Sequence, residues 1–217
     1  MKIQAVIFDL NGTVLADEKQ YGRAFAKILA QFGIEIESDY PHIAGIGVEE
    51  NWSIFIQKHK IKTDKSIEEL AQETQSEYCK QISQVTLKNG FQEFVESIRN
   101  SGIQTALATS NYWDVVEKIF KALSIGDYFE SVTTGEEVEF KKPNPRIFEI
   151  ATEKLGADPS ECLVIEDSVA GVEAAHLAGM KVIAFARNEK HKATLLKEAD
   201  LVVNDFTEIS VDDIDDL

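Results

Sequence analysis

The stretch Ile3-Gln4-Ala5-Val6-Ile7-Phe8-Asp9-Leu10-Asn11-Gly12-Thr13 decides how the chain is read. A short apolar run ends abruptly in an acid, an amide and a glycine. An apolar run with little alternation is what a strand covered on both faces of a parallel sheet requires. Five more runs share the pattern, at 104–108, 131–134, 163–165, 182–185 and 201–203. Helical periods lie between them. Residues 91–99 put Phe91, Phe94, Val95 and Ile98 on one face, and 115–123 do the same with Val115, Ile119, Ala122 and Leu123. Residues 144–155 begin with Pro145 and stop at Gly156, and residues 169–178 stop at Gly179, both in keeping with helix punctuation. Strand–helix–strand repetition with right-handed crossovers predicts an α/β fold, a Rossmann-like doubly wound parallel sheet.

One segment breaks the alternation. Residues 17–84 hold no strand pattern, whereas 21–32, 49–60 and 66–82 are helical. The expectation is a core domain built from residues 1–16 and 86–217, with an α-helical cap domain, 17–85, inserted after the first strand. The acidic end, 211–217, is expected to be solvated and frayed.

The chain has 217 residues and a net charge of −16. That balance disfavours nucleic acid and anionic lipid as partners, but a small basic pocket inside an acidic protein still takes a phosphorylated metabolite. No apolar run approaches the ~20 residues of a membrane-spanning helix, and the first residues lack the length of a signal peptide. Cys79 and Cys162 form no CxxC pair and are read as reduced thiols. The four histidines show no metal-binding spacing. The expected setting is cytoplasmic, the expected state a monomer or weak homodimer.

In an open parallel sheet, ligands bind beyond the carboxyl ends of the strands. Asp9-Leu10-Asn11-Gly12-Thr13 follows the first strand and Thr109-Ser110-Asn111 the second. Lys141-Lys142-Pro143-Asn144-Pro145 precedes a helix, and Glu166-Asp167-Ser168 follows the run at 163–165. One rim thus gathers carboxylates, hydroxyls and an ammonium. That set suits Mg²⁺ and a phosphoryl group together.

These four motifs, in this order and with Gly171 after the last, resemble the haloacid dehalogenase-like phosphatase superfamily. The likeness is to its capped branch, which includes phosphoglycolate phosphatase and β-phosphoglucomutase. The resemblance covers essentially the whole chain and implies a Mg²⁺-dependent phosphatase acting through an aspartyl-phosphate. It assigns Asp9 as the nucleophile. It assigns Asp9, the backbone carbonyl of Asn11 and Asp167 as Mg²⁺ ligands, with Glu166 bound directly or one layer out. Thr109 would hydrogen-bond the phosphoryl group and Lys142 would balance its charge. Gly12 and Thr13 would turn backbone amides toward phosphate. Ser110 and Asn111 are read either as phosphate donors or as caps of the next helix. Gly45, in the cap loop 44–47, is read either as a substrate contact or as part of an ordinary connection.

Two positions depart from the family pattern. The family carries an aspartate where this chain has Asn11, and that aspartate protonates the leaving group and then activates water. An amide does neither, and loss of a general acid–base costs about 10²–10⁴ in rate. Three explanations compete: an engineered change, a naturally slow or catalytically silent scaffold that binds metal and phosphate, or an enzyme with another proton carrier. Asp17, Glu18 and Tyr21 are candidates for that carrier. Tyr21 also stands where mutases of the branch carry a histidine, which disfavours a sugar phosphomutase. Glu166-Asp167 argues against the metal-free dehalogenases.

Overall fold

A computed structural model describes residues 2–36, 41–43, 46–215 and 217 of the chain. The opening run forms β1 (Ala5–Phe8), all four residues buried. Its side chains alternate between two covered faces: Val6 and Phe8 on one, Ala5 and Ile7 on the other. The chain then makes a two-residue strand, β2 (Leu15–Ala16). It continues through α1 (Glu18–Ala30), α2 (Val48–His59) and α3 (Ile67–Cys79). It returns through β3 (Thr86–Leu87), which pairs antiparallel with β2, Leu15 opposite Leu87 and Ala16 opposite Thr86. This small ladder was not read from the sequence, because two residues carry no periodicity. It ties together the two chain segments that flank residues 17–85.

The rest alternates as expected: α4 (Phe91–Asn100), β4 (Gln104–Ala108), α5 (Trp113–Leu123), β5 (Ser131–Thr133) and α6 (Arg146–Leu155). Then come β6 (Cys162–Glu166), α7 (Val169–Leu177), β7 (Lys181–Phe185), α8 (Glu189–Leu195) and β8 (Leu201–Val203). The six longer strands make one parallel sheet in the order β5-β4-β1-β6-β7-β8. The strand order reverses at β1, so the crevice above its carboxyl end is where a doubly wound sheet binds ligands. On one face of the sheet Phe8 meets Phe91 edge-on at 5.8 Å and Phe129 at 6.0 Å. The other face is packed by smaller residues, including Ala106, Ala108, Ala151 and Ala174, under α6 and α7.

The end of the chain differs from expectation. Val211–Asp215 is a helix, α9, and Ile214 is fully buried in the Phe8 side of the core. The acids flanking Ile214 masked one apolar anchor, whose burial outweighs the cost of ordering a short end.

Within residues 17–85, Trp52 is fully buried, donates to Thr74 Oγ1 at 2.8 Å, and packs 5.7 Å from Phe55 and 6.1 Å from Phe25. A capping box, Ser66 with Glu69, starts α3, supplying the first orphan amides with partners. No helix among the described residues is long and apolar enough to cross a membrane, and Cys79 and Cys162 are not disulfide-bonded.

Candidate active site

The sheet brings the four sequence motifs to one place. Phe8 lies opposite Leu107 on β4 and Ile165 on β6. The next residue on each strand therefore reaches the same rim: Asp9, Ala108 and Glu166. Lys142, from the loop before α6, closes this triangle. Its Nζ donates to Asp9 Oδ1 at 2.6 Å and to Glu166 Oε1 at 2.7 Å, and its side chain is fully buried. It also lies 5.0 Å from the Phe148 ring centroid. A lysine has no reason to be buried without such partners. Held between two carboxylates, it is driven above its ordinary pKa by both, against the opposing effect of burial.

Glu166 is committed on both oxygens. Besides Lys142, it accepts from the Asp167 amide at 2.7 Å, the Ser168 amide at 2.7 Å and Ser168 Oγ at 2.8 Å. It therefore holds the lysine and the turn rather than facing the crevice. This packing explains Gly171. A Cβ there would stand 1.9 Å from Glu166 Oε1. Gly12 answers the same need: its φ is +81°, and a Cβ would stand 2.4 Å from Asp167 Oδ2. Only glycine suits that combination.

Asp167 is buried and receives Arg187 Nη1 at 3.3 Å. Burial, with Glu166 and Asp9 nearby, pushes its carboxyl well above the usual range. Burial and Glu166 raise Asp9 as well, with Lys142 opposing. Three buried carboxylates thus face two cationic side chains, a negative excess that a hard cation would neutralise. The donor set fits such an ion: Asp9 and Asp167 offer carboxylate oxygens, and Asn11, which lines the same crevice two residues after Asp9, offers a backbone carbonyl. Among the described residues, no group of three or more His, Cys, Asp or Glu side chains is placed to hold a metal ion, so such an ion would rest on two carboxylates and a carbonyl.

Thr109 is buried, and its Oγ1 accepts from the Asn111 amide at 3.2 Å. Thr13 is buried too, with no partner for its hydroxyl. Ser110 and Asn111 line the crevice. Asn111 does more than cap a helix. It donates from Nδ2 to Asn11 Oδ1 at 2.6 Å and accepts from Tyr21 Oη at 2.7 Å. Asn11 in turn donates to Asp17 Oδ2 at 2.5 Å, and Asp17 also accepts from Tyr78 Oη at 2.6 Å and the Gly12 amide at 3.1 Å. The rings of Tyr21 and Tyr78 stack at 3.9 Å. This chain of bonds runs from the rim into α1 and α3. Burial raises Asp17 to about 6.

The partly open crevice over Asp9 and Asn11 measures about 60 Å³, room for only a few water molecules. Its walls include Asp17, Tyr21, Phe25, His42 and Val48. Gly45 and Ala44 lie outside the described residues. Three contributors escaped the sequence reading. Arg187 stands two residues beyond the end of β7, so the same inspection of strand ends would have found it. Lys88, whose Nζ donates to the Gly12 carbonyl at 3.1 Å, and Tyr78 carry no local signal.

Comparison with known proteins identifies the family. A haloacid dehalogenase-like hydrolase family model matches residues 6–185. The phosphorylated carbohydrates phosphatase of Thermotoga maritima is 29% identical over 202 residues, covering 92% of this chain and 93% of that protein. Protein CbbY of Rhodobacter capsulatus is 30% identical over 203 residues, covering 84% and 85%. A crystal structure of an aspartate-to-asparagine mutant of CbbY from Rhodobacter sphaeroides, in complex with xylulose 1,5-bisphosphate, is 25% identical. It superposes with a TM-score of 0.81 over 95% of this chain and 96% of that one. The chain belongs to the haloacid dehalogenase-like hydrolase family, and within it is a phosphoric monoester hydrolase.

Proposed function

We propose that the chain is a slow Mg²⁺-dependent phosphatase of a small phosphorylated metabolite, working through an aspartyl-phosphate on Asp9. The observation that carries the reading is the buried Lys142 ammonium, 2.6 Å from Asp9 and 2.7 Å from Glu166 at the carboxyl ends of neighbouring strands. A carboxylate held this way is aimed as a nucleophile must be, and the ammonium favours its ionised form against the effect of burial.

An Asp9 oxygen forms a bond to phosphorus as the ester P–O bond breaks, the leaving oxygen takes its proton from water and departs as the alcohol, and a second water then cleaves the acyl-phosphate to free Asp9 and phosphate. Lys142 offsets the charge of nucleophile and phosphoryl group. Thr109 and the turn at Gly12 supply donors to the phosphoryl oxygens, and Glu166 keeps Lys142 in place. Mg²⁺, held by Asp9, Asp167 and the Asn11 carbonyl, would neutralise phosphoryl charge when bound. Residues 17–85 serve as the cap. With about 60 Å³ beneath it, the cap has to open for substrate and products.

Asn11 sets the speed. Its amide neither protonates the leaving oxygen nor takes a proton from water, so turnover lacks a term worth about 10²–10⁴. The names of the relatives support a carbohydrate phosphate as substrate, and a cytoplasmic setting suits such a metabolite.

The test is phosphate release from a panel of sugar and alkyl phosphates, with and without Mg²⁺. We expect slow, Mg²⁺-dependent release that Asp9→Asn abolishes. Release that persists in Asp9→Asn would remove the nucleophile from the account. No release under any condition, with phosphate still bound, would mark a silent scaffold.

A further inference from the structure

The walls of the crevice define what the leaving group is. On the side of residues 17–85 they are formed by Tyr21, Phe25, Ile43, Ile46 and Val48, with Asn51 behind them. Among the described residues, none that lines this space is a lysine or arginine. The sequence extends the point: from Lys27 to Lys58 the chain holds no lysine or arginine at all, but five acids, Glu35, Glu37, Asp39, Glu49 and Glu50. His42 stacks on Phe25 at 5.1 Å, and burial together with Arg187 lowers its pKa to about 4, so it is neutral at pH 7. Asp17 and Glu18 add acids to the same lining.

The cations nearest the space lie outside its lining. Lys142 holds Asp9 and Glu166, Arg187 holds Asp167, and Lys88 lies 3.7 Å from Glu18. Lys141, beside Gly47, donates to the Gly135 carbonyl, and Lys190 lies on the outer side of His42 and Ile43. The site therefore has charge for one phosphoryl group, at Asp9, and none for a second anion at the far end. A second phosphate would need lysine, arginine or a free helix N-terminus; the α2 N-terminus at Val48 already carries Glu49 and Glu50 in its first turn, and like charges brought together are rejected.

We infer that the substrate is a monophosphate ester whose leaving group is uncharged and presents an apolar face to Tyr21, Phe25, Ile43 and Val48, and that bisphosphates are excluded. This deepens the phosphatase reading and rests on it. It separates the chain from the CbbY mutant that holds xylulose 1,5-bisphosphate.

The experiment compares hexyl phosphate with hexane-1,6-diyl bisphosphate, which differ only by the second phosphate. Binding to the full chain is measured by calorimetry at fixed Mg²⁺, and phosphate release is followed in parallel. We expect the bisphosphate to bind at least about tenfold more weakly. Val48→Lys should move the bisphosphate-to-monophosphate ratio of binding constants about tenfold toward the bisphosphate. Equal or tighter binding of the bisphosphate by the unaltered chain, or no binding of hexyl phosphate, overturns the inference. Because binding is read without turnover, a failure of phosphate release is seen separately and counts against the phosphatase reading alone.

Discussion

The side-chain amide of Asn11 donates to Asp17 Oδ2 across 2.5 Å, inside a cage completed by Tyr78 and the Gly12 amide. Asn11 and Asp17 are therefore matched. An acid at position 11 would set two buried carboxyl groups against each other, and such pairs share one proton. The amide at position 11 is held by a carboxylate six residues on.

This pairing governs how activity is regained. Asn11→Asp alone creates the clash, so it gains only part of the missing rate. Asn11→Asp combined with Asp17→Asn inverts the pair and keeps the hydrogen bond. We expect the double variant to hydrolyse an alkyl phosphate about 10²–10⁴ faster than the parent, with the single variant between them. Steady-state phosphate release decides it; a double variant no faster than the parent means Asn11 does not limit turnover.

Lys142 is the second lever. Lys142→Met leaves Asp9 and Glu166 buried without their shared cation. Breaking a buried pair in this way costs about 3–5 kcal/mol. Urea unfolding should show that loss together with abolished phosphate release. A variant of unchanged stability would mean that the two carboxylates do not depend on the lysine.

Gly171 and Gly179 make a contrasting pair. At Gly171 a Cβ would stand 1.9 Å from Glu166 Oε1, whereas at Gly179, φ +80°, nothing lies within 4 Å. Gly179→Ala carries only backbone strain, about 1 kcal/mol. Gly171→Ala has to displace Glu166, costs about 1–3 kcal/mol through overpacking, and should also lower kcat by loosening Lys142. Thermal unfolding and kinetics of the two variants, side by side, separate strain from displacement.

Much of this arrangement was legible because of where it sits in the chain. Asp9, Thr109, Glu166 and Asp167 each end a strand, and a parallel sheet puts strand ends on one rim. Lys142 was readable only through the motif around it. What was not legible is contact across long separations: Tyr78 reaches Asp17 from 61 residues away, and helical periodicity says nothing about where a helix tip lands. Glu166 illustrates a finer limit. The motif left it beside a metal or one layer out, and only the packing at Ser168 and Gly171 turns both its oxygens inward.

Two buried groups give stability opposing pH dependences. Asp17, raised from 3.8 to about 6 by burial, favours the folded state while protonated. Its contribution is full below about pH 4 and is lost as pH rises through 6. His42, lowered from 6.5 to about 4 by burial, behaves in the opposite sense. Its contribution is present above pH 6.5 and lost as pH falls toward 4. Each is worth about 3 kcal/mol across its window. Urea unfolding between pH 4 and 7 should show His42→Phe losing less stability on acidification than the parent. Asp17→Asn should lose more. Parallel pH profiles for the two variants would contradict both assignments.

The most direct measurement concerns Asp9 itself. Acetyl phosphate has a good leaving group, so attack by Asp9 does not need the acid that Asn11 lacks, whereas release of the phosphoryl group still lacks its base. Incubation with acetyl phosphate and Mg²⁺, followed by peptide mass spectrometry, should find one phosphoryl group accumulated on the peptide containing Asp9, and none in Asp9→Asn. Phosphate release from acetyl phosphate with no phosphoryl group detected on that peptide, at equal rates in the parent and Asp9→Asn, would contradict the account.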